Sequence, residues 1–154
     1  MTRARKIELK LGNPKNGWLP VKLKSNDFEL EFCASNIPEN STDKLNESLI
    51  LALNKIESEI CWNLEPECYF FELKPKGIDI NLIISKSNGI TESRSRIYKM
   101  TGDFESVILP LYRSLKKFCT LDFNKADWTK IENIKLNKLT ELVKKRKNYL
   151  QQRL

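Results

Sequence analysis

Between residues 60 and 84 the apolar side chains return at every second position, and two turns too short to hold a helix interrupt them. Ile60 and Trp62 share one face, and Leu64-Glu65-Pro66-Glu67 reads as a turn. Tyr69, Phe71 and Leu73 share the next face, and Lys74-Pro75-Lys76-Gly77 turns the chain again. Ile78, Ile80, Leu82 and Ile84 then point one way, with Asp79 and Asn81 opposite. Strands joined by so few residues run antiparallel, because a parallel neighbour needs a crossover of about a dozen residues or more. The first third repeats the pattern. Ile7, Leu9 and Leu11 alternate before the turn at residues 12–17, Leu19, Val21 and Leu23 follow, and Phe28, Leu30 and Phe32 lie opposite Glu29 and Glu31. Pro20 cannot donate to a ladder, which predicts an edge strand or a strand that starts after it. Residues 94–100 read as one more strand, with Arg94, Arg96 and Tyr98 on one face.

Helical spacing replaces alternation in two places. Leu45, Leu49, Ala52, Leu53 and Ile56 make one apolar stripe, with Ser41 or Thr42 as the predicted cap and Asp43 at the positive end of the dipole. Phe104, Ile108, Leu111, Leu115 and Phe118 keep the same period around Pro110, which requires a kink or a fresh start. Residues 120–135 carry no clear period. Leu136, Leu139, Leu142, Val143 and Leu150 mark a last helix, with Lys144 to Lys147 near its end. The order predicts an α+β fold in a single domain over residues 1–154. It has a mainly antiparallel sheet of about five to seven strands, helices packed on one face, one helix between strands and two at the C-terminus.

The chain has 154 residues and no histidine. A Ser-His-Asp or Cys-His nucleophile system and a His-containing zinc site are therefore excluded. No glycine-rich phosphate loop, HExxH helix or GxSxG elbow is present. Cys33, Cys61, Cys68 and Cys119 form no CxxC pair and sit among apolar neighbours. They read as buried free thiols, with a Cys61–Cys68 bridge across a hairpin left open. Paired carboxylates such as Glu29 with Glu31 or Glu65 with Glu67 could in principle serve glycoside hydrolysis or a divalent ion, but their spacing fits solvated charges. The expectation is a protein without enzymatic activity, cofactor or metal. The basic start at residues 1–6 leads into Ile7-Glu8-Leu9-Lys10 and not into an apolar stretch, and no apolar run approaches a membrane span, so a cytoplasmic location without membrane contact is expected.

Charge is uneven. The chain carries a formal +7, and residues 78–154 hold 16 Lys/Arg against 8 Asp/Glu. Such asymmetry suits a nucleic acid or an acidic protein partner. The candidate partner-binding residues are the acidic set Asp27, Glu29 and Glu31, the turn pair Glu65 and Glu67, and the set Arg94, Arg96 and Tyr98. Nucleic-acid association through the basic C-terminal half is the alternative reading. No pattern settles monomer or homodimer.

The middle of the chain also carries a resemblance. Its parts are the helix at 42–57, Trp62, the Leu64-Glu65-Pro66-Glu67 turn, the strand at Tyr69, the turn at Gly77, the strand at 78–84 and the helix opened by Gly102-Asp103-Phe104. This order resembles small orphan bacterial proteins that include immunity proteins of contact-dependent growth inhibition and related polymorphic-toxin systems, over about residues 18–145. The resemblance implies binding and neutralisation of a cognate toxin domain without catalysis. It carries over no binding residue.

Overall fold

The computed structural model describes residues 6–152, so the basic stretch at residues 1–5 lies outside the described residues. Seven antiparallel strands lie side by side in chain order: β1 (Glu8–Leu11), β2 (Trp18–Ser25), β3 (Phe28–Ser35), β4 (Ser58–Asn63), β5 (Cys68–Lys76), β6 (Asp79–Ser87) and β7 (Arg94–Gly102). One helix, α1 (Ser41–Leu53), interrupts the meander between β3 and β4. A π-helical turn (Phe104–Ile108), α2 (Leu109–Phe118) and α3 (Asn133–Gln152) follow it. The α+β architecture and the placing of its helices are as the sequence predicts. Among the described residues no helix is long and apolar enough to cross a membrane.

Three local readings are corrected. β2 includes Pro20 although it lies between β1 and β3. β1 has already ended at Leu11 on the side that the proline nitrogen faces, and only the Pro20 carbonyl is used there, by the Gly12 N–H at 2.9 Å. Ile78 belongs to the turn beside Gly77 (φ +61°) and is 85% exposed, so the inward row is Ile80, Leu82 and Ile84. The α1 cap is Asn40, whose Oδ1 accepts from the Thr42 and Asp43 N–H groups; Ser41 and Thr42 are already helical and buried.

Pro110 has no N–H to give, so the helix leading into it widens to a π turn, and Pro110 then sits in the first turn of α2, where an N–H would have no partner anyway. The aperiodic stretch before α3 is anchored at both neighbours. The Asp127 carbonyl accepts from Gly17 N–H at 2.8 Å, and its Oδ1 accepts from Asn16 N–H at 2.9 Å. Trp128 is fully buried and donates through Nε1 to Asn40 Oδ1 (3.1 Å) and Thr42 Oγ1 (3.0 Å). This segment, which shows no period, therefore seals the N-terminus of α1 with its largest side chain.

The sheet is continuous only by a narrow link. β3 and β4 share a single registered pair, Ser35 with Asn63, because α1 fills the connection between them. Beyond that rung β3 crosses the inner face of the β4–β7 half. The Phe32 ring lies 5.8 Å from Trp62, 4.9 Å from Tyr69 and 6.3 Å from Phe71. At the far end Phe28 stacks on Tyr98 at 4.3 Å, and the Tyr98 hydroxyl meets Ser25 Oγ at 2.6 Å. Aromatic packing thus does the joining that backbone hydrogen bonds do elsewhere in the sheet. Truncation of Phe32 to alanine removes that contact set and leaves a cavity, with an expected loss of about 3–4 kcal/mol. Urea unfolding measures it, and a loss under about 1 kcal/mol would contradict the joining role.

Candidate partner-binding surface

The eight candidate residues do not form one site. Asp27, Glu29 and Glu31 lie in the β2–β3 turn and on the outward face of β3. Each strand residue there faces an opposite charge: Lys24 pairs in register with Glu29, Lys22 with Glu31, and Lys22 Nζ reaches Glu29 at 3.2 Å. β1 adds Glu8 opposite Lys24 and Lys10 opposite Lys22. The acidic set is therefore half of an interleaved, neutralised face. Arg94, Arg96 and Tyr98 do not share a face either. The register shifts between Ile84 and Ser85, so Tyr98 lies opposite Ile84 on the inner side and Arg96 lies opposite Ser85 on the outer side. A β-bulge inserts one residue and turns the following side chain over, which strict alternation cannot foresee.

On the outer face of the β4–β7 half, Phe70 is buried although no helix covers it. The Arg94 guanidinium lies 3.6 Å from its ring centroid and pairs in parallel with the Glu59 carboxylate through contacts of 2.8 and 3.3 Å. The arginine acts as a lid, held by planar stacking and a forked ion pair together. Beside it, Cys61 and Cys68 occupy the same face on neighbouring strands, at diagonal positions, both as free thiols. Burial, and then the neighbouring Cys68, push the Cys61 thiol up to about 12. Cys33 is exposed on the outer face of β3, not buried as its apolar neighbours suggested, because those neighbours point inward. Among the described residues no three Cys, Asp or Glu side chains converge as a metal site requires.

The opposite arrangement, exposed apolar groups on fixed backbone, occurs at one end of the sheet. Ser35, Asn63, Cys68, Ser87 and Arg94 form one row across β3 to β7. Four of these side chains are buried, and the three polar ones among them, Ser35, Asn63 and Ser87, each cap the loop that follows their own strand in the same way. Ser35 Oγ accepts from Ile37 N–H at 3.1 Å, Asn63 Oδ1 from Glu65 N–H at 3.0 Å, and Ser87 Oγ from Gly89 N–H at 3.2 Å. These are side-chain turns, in which the polar group replaces a backbone acceptor two residues on. Asn63 Nδ2 also donates to the Ile37 carbonyl and joins the first loop to the second. Ser87 Oγ contacts the Gly89 and Glu92 carbonyls and closes the third loop on itself. Ile37–Pro38 and Glu65–Pro66 are cis, and Glu65 has φ +54°.

What these loops present is apolar and acidic. Ile37 is 61% exposed and Ile90 46%. An open depression of ≈ 390 Å³ between the second and third loops is lined by Asn63, Glu65, Pro66, Gly89, Ile90 and Thr91. Glu65 in its lining is exposed, Glu39 and Glu92 are exposed in the first and third loops, and Glu67 pairs with Lys86 at 3.1 Å. Of the candidate residues, Glu65, Glu67 and Arg94 belong to this end of the sheet. Ser35, Asn63, Ser87, Ile37 and Ile90 were not singled out from the sequence, although Ser35-Asn36-Ile37-Pro38 and Asn63-Leu64-Glu65-Pro66 repeat one Ser/Asn-x-x-Pro pattern.

No protein-family model matches the chain, and no curated protein does. Among solved structures, a chain of a CdiA-CT/CdiI toxin and immunity complex from Enterobacter cloacae aligns with a TM-score of 0.45 at 18% identity, covering 73% of this chain and 99% of that chain.

The thiolate is the reactive form of cysteine, and the raised Cys61 value keeps that group protonated at neutral pH. Alkylation of Cys61 is therefore expected to climb about tenfold per pH unit from pH 8 to 10 with no levelling, after the exposed Cys33 has reacted. Mass spectrometry of iodoacetamide-treated protein follows both sites. A plateau for Cys61 below pH 10 would contradict its half-buried place beside Cys68.

Proposed function

We propose that this chain is a non-catalytic cytoplasmic binding protein, and specifically an immunity protein that occupies and blocks a cognate bacterial toxin domain. The observation that carries the reading is the fixed three-loop end of the sheet. There, two large aliphatic side chains are held in water on backbone already ordered by Ser35, Asn63 and Ser87. Covering such groups on a partner recovers roughly 25 cal/mol for each Å² of apolar surface. Loops ordered beforehand lose little conformational freedom on binding, which is the usual way a small surface reaches useful affinity. The toxin-directed form of the reading rests on the order of elements from residue 42 to residue 104. The exposed carboxylates of Glu39, Glu65 and Glu92, one in each of the three loops, suit a partner with basic groups at its contact surface.

Coexpression tests it. The partner to coexpress is the variable C-terminal domain of any large secreted protein that is encoded immediately upstream. The expected result is growth rescue by this chain, with a measurable complex in calorimetry. The double substitution Ile37→Ser and Ile90→Ser, at exposed sites, is expected to leave the melting temperature within a few degrees and to weaken binding at least about tenfold. Failure of the unmodified chain to rescue ends the immunity reading, and unchanged affinity in the double variant removes the loop end from the contact.

A further inference from the structure

The positive charge of this protein has one structural address. Residues 109–154 hold 12 Lys/Arg against 4 Asp/Glu, while the first 108 residues hold 15 against 16. The whole excess thus falls on α2, α3 and the segments next to them. Over those first 108 residues the two signs are close to equal in number. Four cations of the sheet form ion pairs, Lys22 with Glu29, Lys74 with Glu72, Lys86 with Glu67 and Arg94 with Glu59, while among the described residues Lys10, Lys24, Arg96 and Lys99 form none. On the C-terminal helices carboxylates are scarce. Lys135 pairs with Asp43 at 3.2 Å and Arg146 donates to the Leu53 carbonyl. Among the described residues, Arg113, Lys116 and Lys117 on α2 and Lys144, Lys145 and Lys147 on α3 have no carboxylate partner. Glu141 is the single acidic residue within α2 and α3.

The spacing makes this costly to the free fold. Arg113 lies three and four residues before Lys116 and Lys117, and Lys144 lies three before Lys147, so like charges stack on adjacent turns and oppose helix formation by a few tenths of a kcal/mol per pair. The two clusters border one seam. Tyr112 and Thr140 hydroxyls meet at 2.9 Å between α2 and α3; Arg113 follows Tyr112 directly, and Lys144 follows Thr140 by one turn. Five of the six cations are lysines, and the exposed large apolar side chains of α3, Ile134 and Tyr149, lie outside the stretch from Lys138 to Lys147. Lysine is depleted from the cores of protein–protein interfaces, which require apolar anchors. As a hydrated point charge it suits evenly spaced phosphates read without regard to sequence.

We propose that the outer surface of α2 and α3 is a second binding site, separate from the three-loop end, and that it takes the phosphodiester backbone of a nucleic acid without sequence preference. The site needs no metal and makes no bond. It holds phosphates by charge and releases their counterions, so its affinity falls with salt. This inference is independent of the toxin-directed reading, because it uses no residue of that surface.

Fluorescence anisotropy of the full chain with a labelled 30-nucleotide single-stranded RNA, the matching DNA and their duplexes tests it from 50 to 300 mM NaCl. Binding is expected at 50 mM. The log–log salt slope for a single strand is about −0.7 per phosphate neutralised, so four contacts give about −3. The variant Lys116→Gln, Lys117→Gln, Lys144→Gln and Lys145→Gln keeps helix-forming side chains. It is expected to lose at least about tenfold in affinity and most of that slope, while Lys10→Gln, Lys22→Gln and Lys24→Gln on the sheet change neither. Acetylation footprinting of the unmodified protein reads the same surface without substitution, with protection by RNA expected at Lys116, Lys117, Lys144 and Lys145. Absence of binding at 50 mM, equal loss in the sheet variant, or footprint protection centred on the sheet lysines overturns the proposal. So does equal affinity for poly-glutamate of the same charge, which would make the surface one for acidic protein.

Discussion

The structure depends on one rung. Among the described residues, Ser35 and Asn63 are the only registered pair between the two halves of the sheet, and α1 enters the fold through the gap that this narrow link leaves. A sheet held by one pair of residues would separate if backbone bonding were its only support. Phe32 prevents this by packing on Trp62, Tyr69 and Phe71, and the Phe28–Tyr98 stack closes the far end. The core is therefore closed by aromatic side chains that reach across strands remote in sequence, while the ladder bonds serve each half.

The same rung organises the surface. Ser35 and Asn63 stand in the row that continues through Cys68 to Ser87, and a strand end in that row is followed by a loop that its own side chain caps. Buried polar groups must find partners, and here the partners are loop amides and carbonyls and not solvent. Rigidity of the three-loop end and continuity of the sheet thus come from neighbouring atoms. The outer face of β4–β7 uses the opposite solution. There Arg94 covers Phe70 and is held by Glu59, so an apolar ring that could have been a contact surface is closed by the chain itself.

Much of the fold is legible in the sequence because one face of each strand is core. Ile60, Trp62, Phe71, Leu73, Leu82 and Ile84 are all buried where alternation places them, and Leu45, Leu49 and Ala52 where helical spacing does. What alternation cannot supply is a change of phase. The bulge opposite Ile84 and Ser85 separates Tyr98 from Arg96, and local pattern contains no sign of it. Trp128 is invisible for another reason: its partners Asn40 and Thr42 lie more than 80 residues away in an element of different type. The three-loop end is only partly legible: Glu65 and Glu67 stand out by their exposed turn, whereas Ser35, Asn63 and Ser87 look like ordinary strand-end polar residues until the register sets them in one row. The charge balance of the acidic strand is not legible either, because Lys22 and Lys24, which face Glu31 and Glu29, come from a different strand.

The central claim is that the three loops are fixed before any partner arrives, and amide hydrogen exchange of the free protein tests it most directly. The N–H groups of Ile37, Glu65 and Gly89 belong to exposed loops but donate to Ser35, Asn63 and Ser87. The account predicts that all three exchange at least about a hundredfold more slowly than the exposed amides of Asn88 and Ile90. Exchange of the three at the same rate as those neighbours would show that the loops are not held in advance and would contradict it.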